Sequence, residues 1–354
     1  PTSAQLEQIL ASIDNGVGAI AASTGMGAVA MATLSLLKAG DEIISIGGLF
    51  GGTYSYFSET LVRFGITTHF FDVEEFDAIE RAINTATKII FLESVGNPNM
   101  RLPDIRRIAE IANRNGVAFI VDNTITPLSV APIAMGADMV VYSTTKIISG
   151  NASALGGAVI MRAISEGEDK FKGERYNDVH PFIKKMGTMA LIANAKKRAL
   201  RDFGMSANGV GSYVTMLGLE TLPLRMDRIV ATVEKVVKAL SENGLQINHP
   251  SLTNHPQHER YRTQFANGCG TLFTIDMGSK EKAFEFLNRS KLVTITANIG
   301  DSRTLGLHMA STIYRDFDEQ TKEFLGITPG LIRISIGLES AEAIIDDFLN
   351  AANI

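Results

Sequence analysis

Apolar, strand-like runs alternate with helical segments through the first 160 residues of this 354-residue chain. The runs are rich in Val, Ile and Phe, and they read DEIISIG (41–47), ITTHFFDV (66–73), KIIFLES (88–94), VAFIVDN (117–123) and MVVYST (139–144). Helix-like segments separate them, for example residues 52–64, 74–86 and 103–115. This alternation predicts an α/β fold in which a mostly parallel central sheet is covered by helices on both faces.

The pattern changes after about residue 190. A long helical region precedes two strand-like runs, CGTLFTIDMG (269–278) and LIRISIGLE (331–339), and further helices are expected near 279–289 and 340–352. This mixture is typical of a smaller α+β unit that begins near Pro223. We therefore expect a large domain over residues 1–222 and a small C-terminal domain over residues 223–354.

The composition is that of an ordinary globular protein, with 45% hydrophobic and 20% charged residues. A net charge of −5 argues against a surface that binds nucleic acid or anionic membranes. The longest uncharged stretch lies between Asp14 and Lys38, but its glycines and hydroxyl residues indicate buried loop and helix rather than a membrane span. The single cysteine, Cys269, excludes an internal disulfide and fits a reducing, cytoplasmic location.

Polar clusters follow three of the predicted strands: ESVGNPN, VDNTITP and YSTTKIISG. Ligands of open α/β sheets bind at the carboxyl ends of the strands, so we expect these clusters to meet in one crevice. Glu93, Asn97 and Asp122 are the candidate functional side chains of the first two clusters. Each also has a structural interpretation, because a carboxylate after a strand often caps a helix and Asn-Pro often forms a turn.

Lys146 lies in the third cluster, among the hydroxyl groups of Ser143, Thr144, Thr145 and Ser149. Its side chain could simply extend towards solvent or cap a helix. A partly buried lysine, however, has a lowered pKa and can form a Schiff base with an aldehyde. The hydroxyl groups around it could bind a phosphate.

The segment ASTGMGAVA (22–30) is a glycine-rich turn that leads into a predicted helix. Its backbone N–H groups would suit a phosphate, although close packing of a helix on a sheet explains the glycines equally well. A phosphate-binding turn, an acid at one strand end and a lysine at another together suggest pyridoxal 5'-phosphate. The aldehyde would react with Lys146, the pyridine nitrogen would pair with Asp122, and the phosphate would bind the turn.

Two further groups favour structural roles. His255 and His258 have a spacing that could ligate a metal, but no third ligand is evident and the neighbouring prolines indicate a surface loop. Cys269 lies between Gly268 and Gly270, where a packed strand residue is a better interpretation than a nucleophile. We therefore expect no metal site.

Several segments resemble, in order and over nearly the whole chain, the pyridoxal-phosphate enzymes of cysteine and methionine metabolism. DMVVYSTTKIISGN resembles the lysine signature of that family, and FLESVGNPNMRLPDIRRIAEIAN and VDNTITP resemble its strand-end motifs. STGMGA, GGLFGGTY and GLETLPLRMDR are further matches. TANIGDSRTLGLH and GITPGLIRISIGLE most resemble the O-acetylhomoserine sulfhydrylase branch. The resemblance implies an aspartate-aminotransferase-like (fold type I) transferase.

The resemblance also implies roles for individual residues. Lys146 would hold the cofactor and move protons, Asp122 would keep the pyridine nitrogen protonated, and Arg333 would bind the substrate α-carboxylate. The complete set that it implies for the cofactor is Lys146, Asp122, Gly25, Met26, Ser143, Thr145, Asn97 and Phe50, and for the substrate Arg333 and Asn298.

Some positions depart from the family pattern, and Phe50 is the most consequential. The family usually has a tyrosine there that stacks on the cofactor ring and handles protons, whereas phenylalanine can only stack. Acetate leaves as a weak base and needs little protonation, so a site without that hydroxyl favours an acetylated substrate over a thioether. Tyr54 or Tyr56 could supply a hydroxyl instead. Tyr142, Asn151, Gly211 and the HMASTIY segment (308–314) also depart from the pattern.

We therefore expect a γ-replacement enzyme that converts O-acetylhomoserine and sulfide, or a thiol, to homocysteine, or a thioether, and acetate. A pyridoxal-phosphate-dependent C–S lyase and a non-catalytic cofactor-binding paralogue are the alternatives. The initial PTSAQLEQ resembles the end of a family motif whose tyrosine and arginine reach the neighbouring subunit. An N-terminal arm is thus expected to be missing, and a homo-oligomer, a dimer of dimers with shared active sites, is expected to form.

Overall fold

The structure is a computed structural model that describes residues 1–167, 169–265 and 267–353. Its first sheet has seven strands, in the order β1-β7-β6-β5-β4-β2-β3. These are β1 (Gly18–Ala22), β2 (Glu42–Ile46), β3 (Thr67–Phe71), β4 (Thr87–Glu93), β5 (Ala118–Asp122), β6 (Met139–Tyr142) and β7 (Gly157–Met161). The five strand-like runs all form strands of this sheet, and those five strands are parallel to one another. The predicted α/β fold with a mostly parallel sheet is confirmed.

Helices accompany this sheet. They are α1 (Thr2–Ile13), α2 (Gly25–Leu34), α3 (Gly51–Ser55), α4 (Phe76–Ala82), α5 (Ile105–Arg114), α6 (His180–Met186), α7 (Ala190–Ala195), α8 (Arg201–Phe203) and α9 (Gly209–Glu220). The predicted helix over 52–64 is divided, because α3 continues as a π-helix over Tyr56–Thr60 and a 3-10 helix over Leu61–Phe64. Apolar clusters lie on both faces of the sheet, which explains why its central strands are hydrophobic throughout.

A second, five-stranded sheet follows in the order β10-β11-β12-β9-β8. Its strands are β8 (Gln246–Asn248), β9 (Leu272–Asp276), β10 (Thr294–Ile295), β11 (Leu305–His308) and β12 (Leu331–Ser335). The helices of this part are α10 (Leu222–Glu242), α11 (His258–Gln264), α12 (Lys280–Arg289), α13 (Glu319–Phe324) and α14 (Ala341–Ala352). Only β10 and β11 pair in parallel, so this sheet is mostly antiparallel.

His255 lies in the turn segment before α11, as expected, whereas His258 does not lie in a loop. Both side chains are half-buried, and His258 begins α11. The Nδ1 atom of His255 accepts from the backbone N–H of Gln257, and the Nδ1 atom of His258 lies 3.0 Å from the carbonyl oxygen of Pro250. Across the described ranges, no group of three or more His, Cys, Asp or Glu side chains is placed to hold a metal ion.

The segment after β6 carries Lys146, and residues near the junction of α9 and α10 pack against it and bond to it. Gly218 of α9 packs directly on it, since a Cβ at that position would lie 2.6 Å from the carbonyl oxygen of Ser149. Arg225 of α10 donates to the carbonyl oxygens of Ile147 and Ile148. Carbonyl groups that would otherwise lack partners are thereby satisfied, which fixes the turn that presents the lysine.

None of the helices in the described part of the chain is long and apolar enough to cross a membrane. This agrees with the interpretation of the uncharged stretch between Asp14 and Lys38, which forms β1 and α2.

Candidate active site

A cavity of about 350 Å³ lies at the carboxyl ends of β4, β5 and β6 and at the amino-terminal end of α2. Nine of the ten residues that the resemblance implies line it: Gly25, Met26, Phe50, Asn97, Asp122, Ser143, Thr145, Lys146 and Arg333. Asn298 lies between two other lining residues, Ala297 and Ile299. The strand-end clusters thus meet in one crevice, as expected for an open α/β sheet.

The amine of Lys146 is held inside this cavity by one hydrogen bond. Its Nζ atom donates to Oδ1 of Asn298 over 2.6 Å. Burial, together with the nearby positive charge of Arg333, lowers the pKa of Lys146 to about 8. About a tenth of the amine is therefore neutral and nucleophilic at pH 7, far more than at the ordinary pKa of a lysine, and formation of a Schiff base requires this neutral form.

Asp122 ends β5 and is held by the residue two positions later. Its Oδ1 atom accepts from the backbone N–H of Thr124 at 3.0 Å and from the Thr124 hydroxyl at 2.6 Å. Burial raises the pKa of Asp122 to about 6, while the two Thr124 bonds oppose that rise. Asp122 is thus mostly ionised at neutral pH and can pair with a positively charged ring nitrogen.

The amino-terminal end of α2 forms a cradle beside Ser143. The Thr24 hydroxyl caps the helix by accepting from the N–H of Gly27, so the N–H groups of Gly25 and Met26 remain for a ligand. A Cβ at Gly25 would lie 2.6 Å from Cβ of Ser143, so only glycine allows this approach. Backbone donors at a helix N-terminus, next to a serine hydroxyl, suit a phosphate.

Thr145 lines the cavity, but its hydroxyl group is already engaged. It donates to the carbonyl oxygen of Gly156 and accepts from the N–H of the same residue. A hydroxyl group has a single proton to donate, so this arrangement differs from the phosphate-binding role that the resemblance implies. Thr145 instead closes the lysine turn against the segment that enters β7.

Arg333 of β12 brings a buried cation to the cavity. Its guanidinium donates to Oδ1 of Asn97 and to the carbonyl oxygens of Ala297 and Asn298. It is 3% exposed, and burial lowers its pKa to about 10. Among the described residues it forms no ion pair. A buried guanidinium without a counter-ion is well suited to bind a carboxylate of a ligand.

Phe50 precedes α3 and its side chain lines the cavity, where it is 39% exposed. Its backbone N–H donates to Oε1 of Glu93, the last residue of β4, over 2.6 Å. The two tyrosines that could have supplied the hydroxyl missing at Phe50 point elsewhere. The Tyr54 hydroxyl lies near Thr321 and the Tyr56 hydroxyl near Thr33, and neither tyrosine lines the cavity.

Sequence reasoning missed the roles of Thr24 and Thr124. Thr24 precedes a glycine-rich helix start, which is a recognisable N-cap signal. Thr124 follows Asp122 by two residues, a spacing at which a side chain and backbone commonly form a local turn. Its hydroxyl also accepts from the backbone N–H of Ser143, so it links the ends of β5 and β6.

A buried polar network begins at Asn123, the residue that follows Asp122. The Tyr142 hydroxyl donates to Oδ2 of Asp14 at 2.6 Å and accepts from the side-chain amide of Asn123, next to Asp122. Asn123 in turn accepts from Thr126. The second oxygen of Asp14 is buried without a hydrogen-bond partner in the described part of the chain. Burial raises the pKa of Asp14 to about 7, because the charged form is poorly solvated there.

The cavity therefore combines a nucleophilic amine, an ionised carboxylate, a helix N-terminus with a serine hydroxyl, an aromatic ring and a buried guanidinium. These groups fit pyridoxal 5'-phosphate together with an amino-acid substrate. In combination with the mostly parallel sheet, they define a pyridoxal-phosphate-dependent transferase of fold type I.

Comparisons with known proteins agree. The chain belongs to the Cys/Met metabolism PLP-dependent enzyme family, whose model matches residues 1–353. It is 34% identical to the homocysteine synthase of Schizosaccharomyces pombe, over 100% of this chain and 85% of that protein. It is 32% identical to the O-acetyl-L-homoserine sulfhydrylase of Leptospira meyeri, over 99% of this chain and 84% of that protein.

A solved structure is also similar. A protein of Campylobacter jejuni assigned as an O-acetylhomoserine (thiol)-lyase superposes with a TM-score of 0.91 at 31% identity, over 100% of this chain and 87% of that one. That structure contains N'-pyridoxyl-lysine-5'-monophosphate. The L-methionine γ-lyase of Fusobacterium nucleatum is likewise 31% identical, over 98% of this chain and 82% of that protein. Overall identity therefore does not separate the replacement enzymes from the lyases.

The buried Asp14 predicts a pH-dependent effect of Asp14→Asn. The folded-state pKa of about 7 lies above the ordinary value of 3.8, so the contribution of this group to stability is lost as pH rises towards and through 7. An amide at this position does not ionise. Relative to Asp14→Asn, the wild-type protein should lose on the order of 2 kcal/mol of unfolding free energy between pH 5 and pH 8.

Urea unfolding at both pH values measures this difference. Asp227→Asn, which alters an exposed carboxylate on α10, is the matched control and should show no comparable change. An equal pH dependence of wild type and Asp14→Asn would show that Asp14 is ionised in the folded protein throughout this range.

Proposed function

We propose that this enzyme is an O-acetylhomoserine sulfhydrylase, which replaces the acetate at Cγ of O-acetylhomoserine by sulfide or a thiol. The observation that carries this choice is Phe50, an aromatic residue without a hydroxyl group at the cavity wall. Departure of acetate needs little proton donation, whereas departure of a more basic thiolate benefits from an acid. The names of the relatives in Schizosaccharomyces pombe and Leptospira meyeri support the same activity.

The chain's own residues have distinct tasks in this proposal. Arg333 binds the substrate α-carboxylate, for which a planar guanidinium is suited, and Asn97 holds that guanidinium in place. Asp122 pairs with the ring nitrogen of the cofactor. The N–H groups of Gly25 and Met26, with the Ser143 hydroxyl, bind its phosphate. When bound, pyridoxal phosphate supplies an electron sink that acidifies the substrate α-carbon.

Lys146 handles the protons. As a neutral amine it removes the proton from Cα, and as an ammonium group it returns a proton to the carbon skeleton. Asn298 accepts a hydrogen bond from the amine and so orients it. In the overall reaction, O-acetylhomoserine and hydrogen sulfide give homocysteine and acetic acid, which accounts for all atoms.

The direct test is product analysis of the purified, cofactor-loaded protein. O-acetylhomoserine with sulfide should give homocysteine and acetate, and Lys146→Ala should abolish both products. Omission of sulfide should give little oxo acid. A C–S lyase is the second candidate, supported by the similarity to the methionine γ-lyase of Fusobacterium nucleatum. Rapid release of an oxo acid from methionine or cystathionine, without a need for sulfide, would establish that candidate instead.

Phe50→Tyr tests why the replacement reaction is favoured. The added hydroxyl group could protonate a departing thiolate, so oxo-acid formation from cystathionine should rise about tenfold or more, a part of the roughly 10²–10⁴-fold that a fully positioned general acid contributes. Turnover of O-acetylhomoserine with sulfide should change by only about threefold, because acetate needs little assistance. The measurements are the rate of oxo-acid formation from cystathionine and the rate of turnover of O-acetylhomoserine with sulfide, each for the wild type and for Phe50→Tyr.

Phe50→Leu is the control for that variant, since it removes the ring without adding a hydroxyl group. It should weaken both reactions and the retention of the cofactor, because a leucine cannot stack. If Phe50→Tyr leaves thioether cleavage unchanged, the missing hydroxyl does not determine the choice of reaction.

We also propose a homo-oligomer whose interface adjoins the active site. Leu155 lines the cavity yet is 70% exposed, and α9 with the start of α10 presents an exposed apolar row. That row consists of Val210, Tyr213, Leu217 and Leu224. A row of exposed apolar side chains on a helix, together with an exposed leucine at the cavity, favours a subunit interface, and a second copy of this chain would cover these side chains.

Light scattering should give a mass of two or four times 38.2 kDa. Leu224→Glu should lower that mass and impair retention of the cofactor, because a charge would be buried in the interface. Lys238→Glu, an exposed change further along α10, is the control and should leave the mass unchanged. A monomeric wild-type protein would contradict the proposal.

We also propose a division of the chain into two domains and a cytoplasmic location. The division into domains at residues 222 and 223 is supported by the strands, since those of the first sheet end at Met161 and those of the second begin at Gln246. A cytoplasmic location is supported by the single cysteine, which is buried and unpaired.

A further inference from the structure

Glu93 is a second carboxyl group in the active-site cavity, and the roles described above use only one. It ends β4 exactly as Asp122 ends β5, and the two residues are register partners in the parallel pair of strands. Both line the cavity, and Glu93 is only 6% exposed. A buried carboxyl group at this place needs a reason, because its charged form is costly to bury.

Glu93 holds the backbone from which the Phe50 ring projects. Its Oε1 atom accepts from the N–H of Phe50, and the carbonyl oxygen of Phe50 accepts from the N–H of Tyr54 in α3. The backbone of Phe50 is therefore fixed on both sides, to the end of β4 and to the first turn of α3. These two bonds fix the backbone position from which the ring enters the cavity.

The two neighbouring carboxyl groups have different surroundings. Asp122 accepts two hydrogen bonds from Thr124, which favour its ionised form. Glu93 accepts one, from Phe50. Burial and then the charge of Asp122 raise the pKa of Glu93 well above its ordinary value. Tyr314 is the other titratable group that interacts with it, and the cations of the cavity are Lys146 and Arg333.

We propose that Glu93 is a positioning residue that remains a neutral carboxylic acid, fixes the Phe50 ring against the cofactor, and leaves Asp122 as the only carboxylate beside it. Neighbouring carboxyl groups whose surroundings differ in this way divide their tasks, one charged and one neutral. The proposal requires that pyridoxal phosphate binds in this cavity, but it does not depend on which substrate is used.

Three variants separate the hydrogen bond from the charge. Glu93→Gln keeps the length and the acceptor oxygen but cannot ionise. Glu93→Leu has a similar size and no acceptor. Glu93→Asp can ionise but is one methylene shorter, so its oxygen falls short of the Phe50 N–H. A neutral positioning role predicts that Glu93→Gln resembles the wild type, and that Glu93→Asp resembles Glu93→Leu.

The measurements are the dissociation constant of pyridoxal phosphate, the circular dichroism of its visible band, and the pH dependence of that band. The dichroism reports the orientation of the cofactor ring and does not require turnover. Glu93→Gln should leave all three within about twofold of the wild type. Glu93→Leu and Glu93→Asp should weaken the dichroism and raise the dissociation constant roughly tenfold, as expected for loss of one buried hydrogen bond.

Two results would overturn the proposal. A pH profile of the visible band that shifts in Glu93→Gln would show that Glu93 acts through its charge. Retention of wild-type dichroism and affinity in both Glu93→Leu and Glu93→Asp would show that the bond to Phe50 has no positioning role. Urea unfolding of the cofactor-free variants identifies any variant that does not fold. If Glu93→Leu does not fold, the comparison of Glu93→Gln with Glu93→Asp still tests the proposal. Absence of any visible band in the wild type would instead contradict the assignment of the cofactor.

Discussion

Lys146 and Arg333 place two basic groups in one buried cavity, and neither forms an ion pair within the described ranges. Burial lowers the pKa of Arg333 to about 10, and burial together with the charge of Arg333 lowers the pKa of Lys146 to about 8. The guanidinium remains charged, while the amine can lose its proton. Arrival of a carboxylate at Arg333 would reduce the repulsion between the two cations and raise the pKa of Lys146, so binding of substrate and the protonation state of the lysine are physically connected.

Burial, hydrogen bonds and a neighbouring charge also set the pKa values of the two carboxyl groups in the cavity. A parallel sheet brings the ends of β4 and β5 to one edge, which places Glu93 and Asp122 side by side. Hydrogen bonds from Thr124 then favour the charged form of Asp122, and Glu93 has no such bonds from Thr124. Asn123, the residue after Asp122, begins the buried network that runs through Tyr142 to Asp14. The sheet supplies proximity, and the local hydrogen bonds favour the ionised form of Asp122 more than that of Glu93.

Much of this arrangement could be predicted from the sequence. The five strands of the parallel region are strongly apolar and three of them end in polar clusters, so both the sheet and the crevice were predictable. The two antiparallel strands β1 and β7 were not, because GAIAA and GAVIM are short, uniformly apolar runs that resemble buried helix as readily as strand. Short strands such as β8 and β10 likewise carry too few residues for a clear period.

The site was predictable to the level of residue identity but not of hydrogen bonding. Sequence motifs brought Lys146, Asp122 and Arg333 together, whereas the partners of Thr145 and Glu93 depend on contacts between segments far apart in the chain. Thr145 illustrates the point, because its hydroxyl group is used by Gly156 on the way into β7. Such contacts are set by tertiary packing, which no local pattern encodes.

The helix α10 connects the turn that carries Lys146 to the core of the second sheet. Near its start, Arg225 is bonded to the carbonyl groups of the lysine turn, and further along, Val236 and Leu240 pack in the core of the second sheet. A 21-residue helix is a stiff rod about 30 Å long. Because β12 of that sheet also carries Arg333, a rocking movement of the second sheet would carry the lysine turn and the guanidinium in the same direction. The amine and the guanidinium of the cavity are thus mechanically connected through α10 and the second sheet.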